Sequence, residues 1–386
     1  MEMHRQIKFF LIFFIVAVVG CSKINKATDL LTRPSAKERY KRDLKVTDQL
    51  YKLWENQMQL ALRDSVQVDL PYLGQGYFKP RNFPILSYDL KLKTGEKLDV
   101  IVEKDSAAAL VFIDLYYQQN DSLKSFKRIS GSEYQMNFLS EEIEQSGKYK
   151  IVIQPEIEAS TPFSVKIKTS PVYGFPIAGG QNKNIQSLWG AARDGGRRSH
   201  EGVDIFAARG TPVVAVTEGK ISSSGEKGLG GKQVWLRDPK RGQSLYYAHL
   251  DSIVPLGNAR VKKGDTIGFV GNTGNARTTA PHLHFGIYRS YRGAIDPLAF
   301  VFQLDEPGFE PTANVPKAMN LFTIAKANLR DKPNSKKSNV IGKVPAQDTL
   351  RFLGKSADWY HVRTSGNQAA FVHESLVAPL KTTSPD

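Results

Sequence analysis

Two histidines separated by one apolar residue constrain this chain more than any other feature. In Pro281-His282-Leu283-His284-Phe285-Gly286 imidazoles and apolar side chains alternate. That is the period of a β-strand, with both imidazoles on one face and Leu283 and Phe285 on the other. Imidazoles on a buried strand are costly unless a metal or a proton-transfer role satisfies them. Such a strand needs a sheet around it, and residues 172–305 are Gly-rich, with short apolar runs cut by turns. His200 and His249 fall in the same region, so four of the seven histidines lie within 85 residues of one another.

His200 and Asp204 stand four apart in His200-Glu201-Gly202-Val203-Asp204. In an extended chain that even spacing puts imidazole and carboxylate on one face, where they can grip a divalent metal. Gly202 between them leaves room. Ser244–Leu250 reads as a strand with His249 near its end; alone, that histidine would read as structural. The three motifs together offer four imidazoles and one carboxylate. Three protein ligands suffice for a catalytic zinc, which keeps one position open. The other two imidazoles are then free to handle protons. Two histidines and one carboxylate also serve non-haem iron oxygenases, but no arginine motif marks a cosubstrate site here, so hydrolysis is the better-supported chemistry.

The order of these motifs, H-x-x-x-D, then a histidine after an aromatic-rich strand, then H-x-H followed by Phe-Gly, resembles the lysostaphin-type (LytM-like) zinc endopeptidases. The surroundings agree: Gly195-Gly196-Arg197-Arg198 before His200, Ala208-Arg209-Gly210-Thr211-Pro212-Val213 after Asp204, and Gly264-Asp265 leading to Gly268 and Gly271-Asn272-Thr273-Gly274. The likeness runs from Phe175 to Pro297. It implies a Zn2+ ion held by His200, Asp204 and His284. It implies His249 and His282 as the catalytic pair that polarises water and steadies the tetrahedral intermediate, with the choice of general base left open. All five positions are filled. The family fold is a small antiparallel β-barrel related to lipoyl carriers, open along a groove that suits an extended peptide. In that frame Thr211–Val216 with Glu218-Gly219-Lys220, and Gly264–Val270 with Gly271, read as two strand-turn-strand repeats. Family members cut peptides of peptidoglycan, either glycine bridges or D-amino-acid cross-links.

The rest of the chain divides around this region. His4, Arg5 and Lys8 precede an apolar run from Phe9 to Val19, the layout of an export signal. Eleven residues rise about 16 Å as a helix, roughly half a hydrocarbon core. The run ends in Val18-Val19-Gly20-Cys21, which resembles a lipoprotein cleavage box with Cys21 as the acylated first residue. Cys21 is the only cysteine, so no intramolecular disulfide is possible. Residues 22–69 read as a tether and then one helix from Ser35 to Asp64, with Tyr40, Leu44, Thr47, Tyr51, Trp54, Met58 and Ala61 on one stripe. Residues 70–171 read as a β-sandwich, with strands at Lys97–Val102, Ala109–Tyr116 and Tyr149–Ile153; no histidine occurs there, and a spacer role is expected. In residues 306–386 a proline-marked linker leads to short strands around Asn328-Leu329-Arg330, Val340–Val344, Leu350–Leu353, Trp359–Val362 and Ala370–Val372. They resemble a bacterial SH3-like barrel. Trp359 and Tyr360 are expected in its core, and His361 and His373 on its surface. The chain is thus expected to be mostly β and multidomain: an N-terminal helix, a β-sandwich, a lipoyl-like antiparallel β-barrel peptidase domain and an SH3-like barrel.

The net charge of +15 favours polyanions. The basic residues form no arginine-rich block and no nucleic-acid-binding signature is present, so no nucleic acid is expected as partner. The combined expectation is an exported enzyme of the cell envelope, held to a membrane by its N-terminal lipid on the periplasmic side, with peptidoglycan peptide as substrate. Two rivals share the residues: a silent activator of wall hydrolases or wall-binding scaffold, and a metallopeptidase acting on a protein. The complete five-residue set argues against the first.

Overall fold

The computed structural model describes residues 29, 32, 34–44, 46–119, 126–255, 257–304 and 315–380. The expected signal run, Cys21 and most of the tether lie outside the described residues, as does the middle of the linker. Among the described residues no helix is long and apolar enough to cross a membrane.

The single helix expected over Ser35 to Asp64 is two helices, Ala36–Asp43 and Asp48–Ala61. The cause is Thr47. Its backbone is extended and its hydroxyl accepts from the Leu50 N–H, so it starts a new helix instead of continuing the old one. Ser35 caps the first helix in a reciprocal box with Glu38. The apolar stripe survives the break. Tyr40, Tyr51, Trp54 and Ala61 are buried, the first three against Phe112 and Ile157 of the sandwich. The Trp54 indole N–H donates to the Pro155 carbonyl at 2.8 Å, and the Ile157 N–H donates to the Tyr40 hydroxyl at 2.9 Å.

Residues 72–171 form the two packed sheets. One has the order Leu86–Leu92, Gly147–Pro155, Val111–Gln118, Phe126–Gly131. The other begins Tyr72–Phe78, Thr161–Pro171, Glu96–Lys104, Phe138–Glu142. Thr161–Pro171 alternates buried and half-buried along its length, as a strand with one covered face should. Gly147–Pro155 is buried on nearly every residue because the Asp48–Ala61 helix covers its outer face. Even Lys150 is enclosed there. Its ammonium meets the Asp89 carboxylate and donates to the Asp64 carbonyl at 2.5 Å.

The C-terminal unit does not stand apart from the sandwich. Its Thr349–Ser356 strand pairs with Tyr72–Phe78 at Gln75 and Lys355, so one sheet runs through both units. Leu353, Ala369 and Phe371 belong to the sandwich core, while Leu321, Leu329, Leu350, Tyr360 and Val362 form a core of their own. This overturns one expectation: His361 is buried, not on the surface. Trp359, His361 and Arg363 point from the face of their strand that an isolated barrel would give to water, and the sandwich covers that face. The His361 ring lies 5.4 Å from Tyr88 and 5.1 Å from Phe371 between centroids. Trp359 packs on the sandwich core, and His373 is only half-buried, with Nδ1 2.8 Å from the Ser375 hydroxyl.

The histidine-bearing region is one antiparallel sheet curled around its own core. Its main path runs Arg260–Val261, Gly219–Glu226, Lys232–Asp238, Gln243–Ile253, His282–Arg289, Val203–Phe206, Ile185–Ser187. Val203, Ile205, Leu236, Leu245, Tyr247, Leu283, Phe285 and Ile287 fill the interior. Pro212–Val214 pairs with Thr266–Val270, which joins the two expected repeats. The sandwich is attached through a backbone bond from Val172 to Gly95 and through Arg241 and Lys240 on Glu142.

Candidate metal centre and peptide groove

The sheet register assembles the site. Asp204 on Val203–Phe206 lies opposite His284 on His282–Arg289. Ala248 on the next strand lies opposite His284 from the other side, which sets His249 beside it. His200 is not on a strand, contrary to the expectation of an extended chain from His200 to Asp204. It follows the Arg198–Ser199 strand and reaches Asp204 through a bend at Gly202. A Cβ at Gly202 would sit 2.6 Å from the Phe285 carbonyl oxygen and 2.7 Å from His284 Cε1. Only a hydrogen fits, so the glycine sets how close the two ligand-bearing segments come.

Three donor atoms converge. His200 Nε2 lies 2.9 Å from Asp204 Oδ1 and 3.0 Å from His284 Nδ1, and His284 Nδ1 lies 3.0 Å from Asp204 Oδ1. His200 Nδ1 is 2.9 Å from the Leu188 carbonyl, which can only accept, so that nitrogen carries the proton. The neutral ring then turns a lone pair at Nε2 toward a carboxylate oxygen. Such a meeting of acceptors is repulsive unless a cation lies among them. Bond lengths of 2.0–2.2 Å in a tetrahedral zinc site put ligand atoms about 3.4 Å apart, a few tenths of an ångström more than seen here. The donor set therefore fits zinc. A proton shared from an imidazole relieves the repulsion in the same way: burial alone would raise the Asp204 carboxyl, but donation from His200 and His284 holds it well below the usual carboxylate range. Burial lowers the His284 imidazole against the pull of Asp204.

His249 and His282 stand beside this triangle, their rings 5.1 Å apart. Each has Nδ1 held by a backbone carbonyl, His249 by Thr273 at 2.9 Å and His282 by Ala280 at 2.8 Å. That leaves Nε2 as the ring atom available to the groove. His249 has φ of 63°, a left-handed conformation uncommon outside glycine and worth strain energy at a functional site. Burial, reinforced by His284 and His282, pushes its imidazole down to about 4, so it is neutral at neutral pH.

All five residues line one groove of about 710 Å³. Its walls add residues that sequence reasoning missed: Arg193, Glu201, Leu229, Tyr246, Asn275 and Tyr288. Leu229 is exposed on the rim. Arg193 donates to Asp204 Oδ2 at 2.6 Å. It stands two residues before the Gly195-Gly196-Arg197-Arg198 stretch, and nothing in a lone arginine marks it.

Comparison with known proteins agrees with this geometry. The model of peptidase family M23 matches residues 198–297, and that of the bacterial SH3 domain residues 325–378. The chain is 36% identical over 126 residues to the L-Ala–D-Glu endopeptidase of Bacillus subtilis, covering 30% of this chain and 38% of that protein. It is 44% identical over 88 residues to the DD-carboxypeptidase/endopeptidase Mpg of Neisseria meningitidis, covering 23% of this chain and 20% of that one. The match to the catalytic domain of lysostaphin from Staphylococcus simulans is 35% identical, with a TM-score of 0.28, over 31% of this chain and 92% of that domain. The chain thus spans well under half the length of the curated relatives it matches. The segment with the convergent histidines is a peptidase family M23 domain, followed in the same chain by a bacterial SH3 domain.

Proposed function

We propose that this chain is a zinc metalloendopeptidase that hydrolyses peptide cross-links or stem peptides of bacterial peptidoglycan. The observation that carries the proposal is the convergence of His200, Asp204 and His284 within 3.0 Å of one another at the floor of the groove that His249 and His282 also line. The names of the matched relatives point to the same substrate class.

His200, Asp204 and His284 would hold the ion, and His249 and His282 would serve the reaction. Zinc supplies Lewis acidity and makes water nucleophilic near neutral pH. The groove, walled by Tyr246, Tyr288 and Leu229, takes an extended peptide across the ligand triangle. His249 is neutral, with its proton fixed on Nδ1 by the Thr273 carbonyl. Its Nε2 can therefore accept a proton and later return it to the leaving amine. His282 is fixed in the same sense by Ala280, and by taking a proton from solvent at Nε2 it would be able to donate to the oxyanion that forms at the scissile carbonyl.

The finer reading places the enzyme in the cell envelope, exported and anchored by acylation at Cys21. The basic n-region and the apolar run ending in Val18-Val19-Gly20-Cys21 support it. Cys21→Ser is expected to move the protein from the membrane to the soluble fraction. The central test is digestion of purified peptidoglycan followed by mass spectrometry of the muropeptides. New peptide ends are expected with the wild type, and none after chelation or with His249→Ala. An unchanged profile with the zinc-loaded wild type would sink the wall reading in favour of a protein substrate or a silent activator.

A further inference from the structure

Asp204 has two carboxylate oxygens, and only Oδ1 faces His200 and His284. We propose that Arg193 is a positioning residue that reserves Oδ2 and so limits Asp204 to one oxygen toward the metal. The proposal rests on the zinc reading above.

The geometry is specific. One guanidinium nitrogen, Nη2, donates to Asp204 Oδ2 at 2.6 Å and to the Ser187 hydroxyl at 2.7 Å. Both of its protons are used, which fixes the rotation of the group. Ser187 is itself held opposite Asp204 in the sheet register. Arg193 stands on a short hairpin in which Ala192–Arg193 pairs with Arg198–Ser199. The same loop is tied to His200 by backbone bonds from His200 N–H to Ala191 and from Gly190 N–H to His200. One hairpin therefore delivers both a metal ligand and the cation that restrains another ligand. A carboxylate free at both oxygens can chelate a cation and use up the position meant for water. With Oδ2 occupied by a charge-assisted hydrogen bond it presents one donor. The same bond fixes the rotation of the carboxylate, so Oδ1 is aimed between His200 and His284 before an ion arrives.

The test is metal binding by the full chain, with cobalt(II) in place of zinc as a spectroscopic probe. Four-coordinate cobalt absorbs visible light several-fold more strongly than five- or six-coordinate cobalt. Arg193→Ala is expected to weaken zinc binding by about 10- to 100-fold in chelator competition. It should also lower the cobalt band to that of a higher coordination number. Arg193→Lys, which keeps a cationic donor, should restore part of both. A merely structural role for Arg193 would alter stability without changing the cobalt band. A wild-type spectrum and zinc affinity in Arg193→Ala would overturn the proposal. If that variant fails to fold, Arg193→Met, which keeps the length of the side chain without a donor, replaces it, and a wild-type spectrum and zinc affinity there overturn the proposal equally. Asp204→Ala separates the two readings: zinc binding equal to wild type there removes the ligand assignment itself, and this proposal with it.

Discussion

At the scale of single residues, what the site needs divides into side chains that carry chemistry and backbone that aims them. His249→Ala removes a proton carrier and leaves the three converging donors in place. It is expected to lower kcat by about 10²- to 10⁴-fold with zinc content unchanged, measured by metal analysis beside muropeptide turnover. Gly202→Ala should act in the opposite sense. Its Cβ must displace either the Phe285 carbonyl or the His284 ring, so the expected result is a folded protein that holds zinc about 10- to 100-fold more weakly. Wild-type zinc affinity in that variant would show that the segments can separate without cost to the site. That these five side chains line one groove was legible in the sequence, because few side-chain types offer metal donors and few spacings bring them together. The partners that orient three of the histidines were not. Leu188, Thr273 and Ala280 act through carbonyl oxygens, which every residue type possesses. Arg193 is charged, but its role depends on a hairpin whose register no local pattern reveals.

Elements show a second limit of legibility. Strand alternation tells which side chains share a face, not what covers it. Trp359, His361 and Arg363 share one that the sandwich covers, so Trp359, expected in the barrel core, packs on the sandwich instead, and His361, expected in water, is buried. In the fold it lies against Tyr88 with neither ring nitrogen hydrogen-bonded to protein. Burial, with Arg363 adding to it, pushes its imidazole down to about 3, against about 6.5 in an unfolded chain. Between those values the unfolded chain binds the proton and the folded one does not. Stability from this group is therefore complete above pH 6.5 and falls as the pH drops, by up to about 1.4 kcal/mol per unit, until about pH 3. Urea unfolding of wild type and His361→Leu across that range is expected to show the wild type losing its relative stability on the acid side. Parallel pH profiles would count against a neutral buried imidazole. The N-terminal stripe shows the converse case. Its spacing puts Tyr40, Tyr51, Trp54 and Ala61 inside, because packing on the sandwich selects the face, while Thr47 at the break is exposed. The break at Thr47 escaped notice because a threonine on the stripe fits the helical period as well as it fits a cap.

Across the whole molecule the sandwich and the SH3 domain share a sheet, and the M23 domain has a separate one, so the first two are expected to unfold as one body and the third as another. The shared sheet joins the first two, and Asp64 fastens them further. Its carboxylate accepts two bonds from the Arg363 guanidinium, at 3.0 and 2.6 Å, and one from the Ser87 hydroxyl at 2.6 Å. Both members of the ion pair are buried. Removing one leaves the other charge enclosed without its partner, a change that typically costs about 3–5 kcal/mol. The M23 domain meets the sandwich through the Val172–Gly95 backbone bond and the half-exposed Glu142 pairs, a smaller connection than a shared sheet. Calorimetry of the full chain should therefore resolve two transitions. Zinc should raise only the one belonging to the M23 domain, since a ligand stabilises the fold that binds it. Arg363→Ala should lower only the other, with zinc affinity and muropeptide cleavage retained. If both transitions moved together under either change, the three units would form a single cooperative body. The SH3 domain would then be coupled to catalysis through the sandwich, and not merely carried beside it.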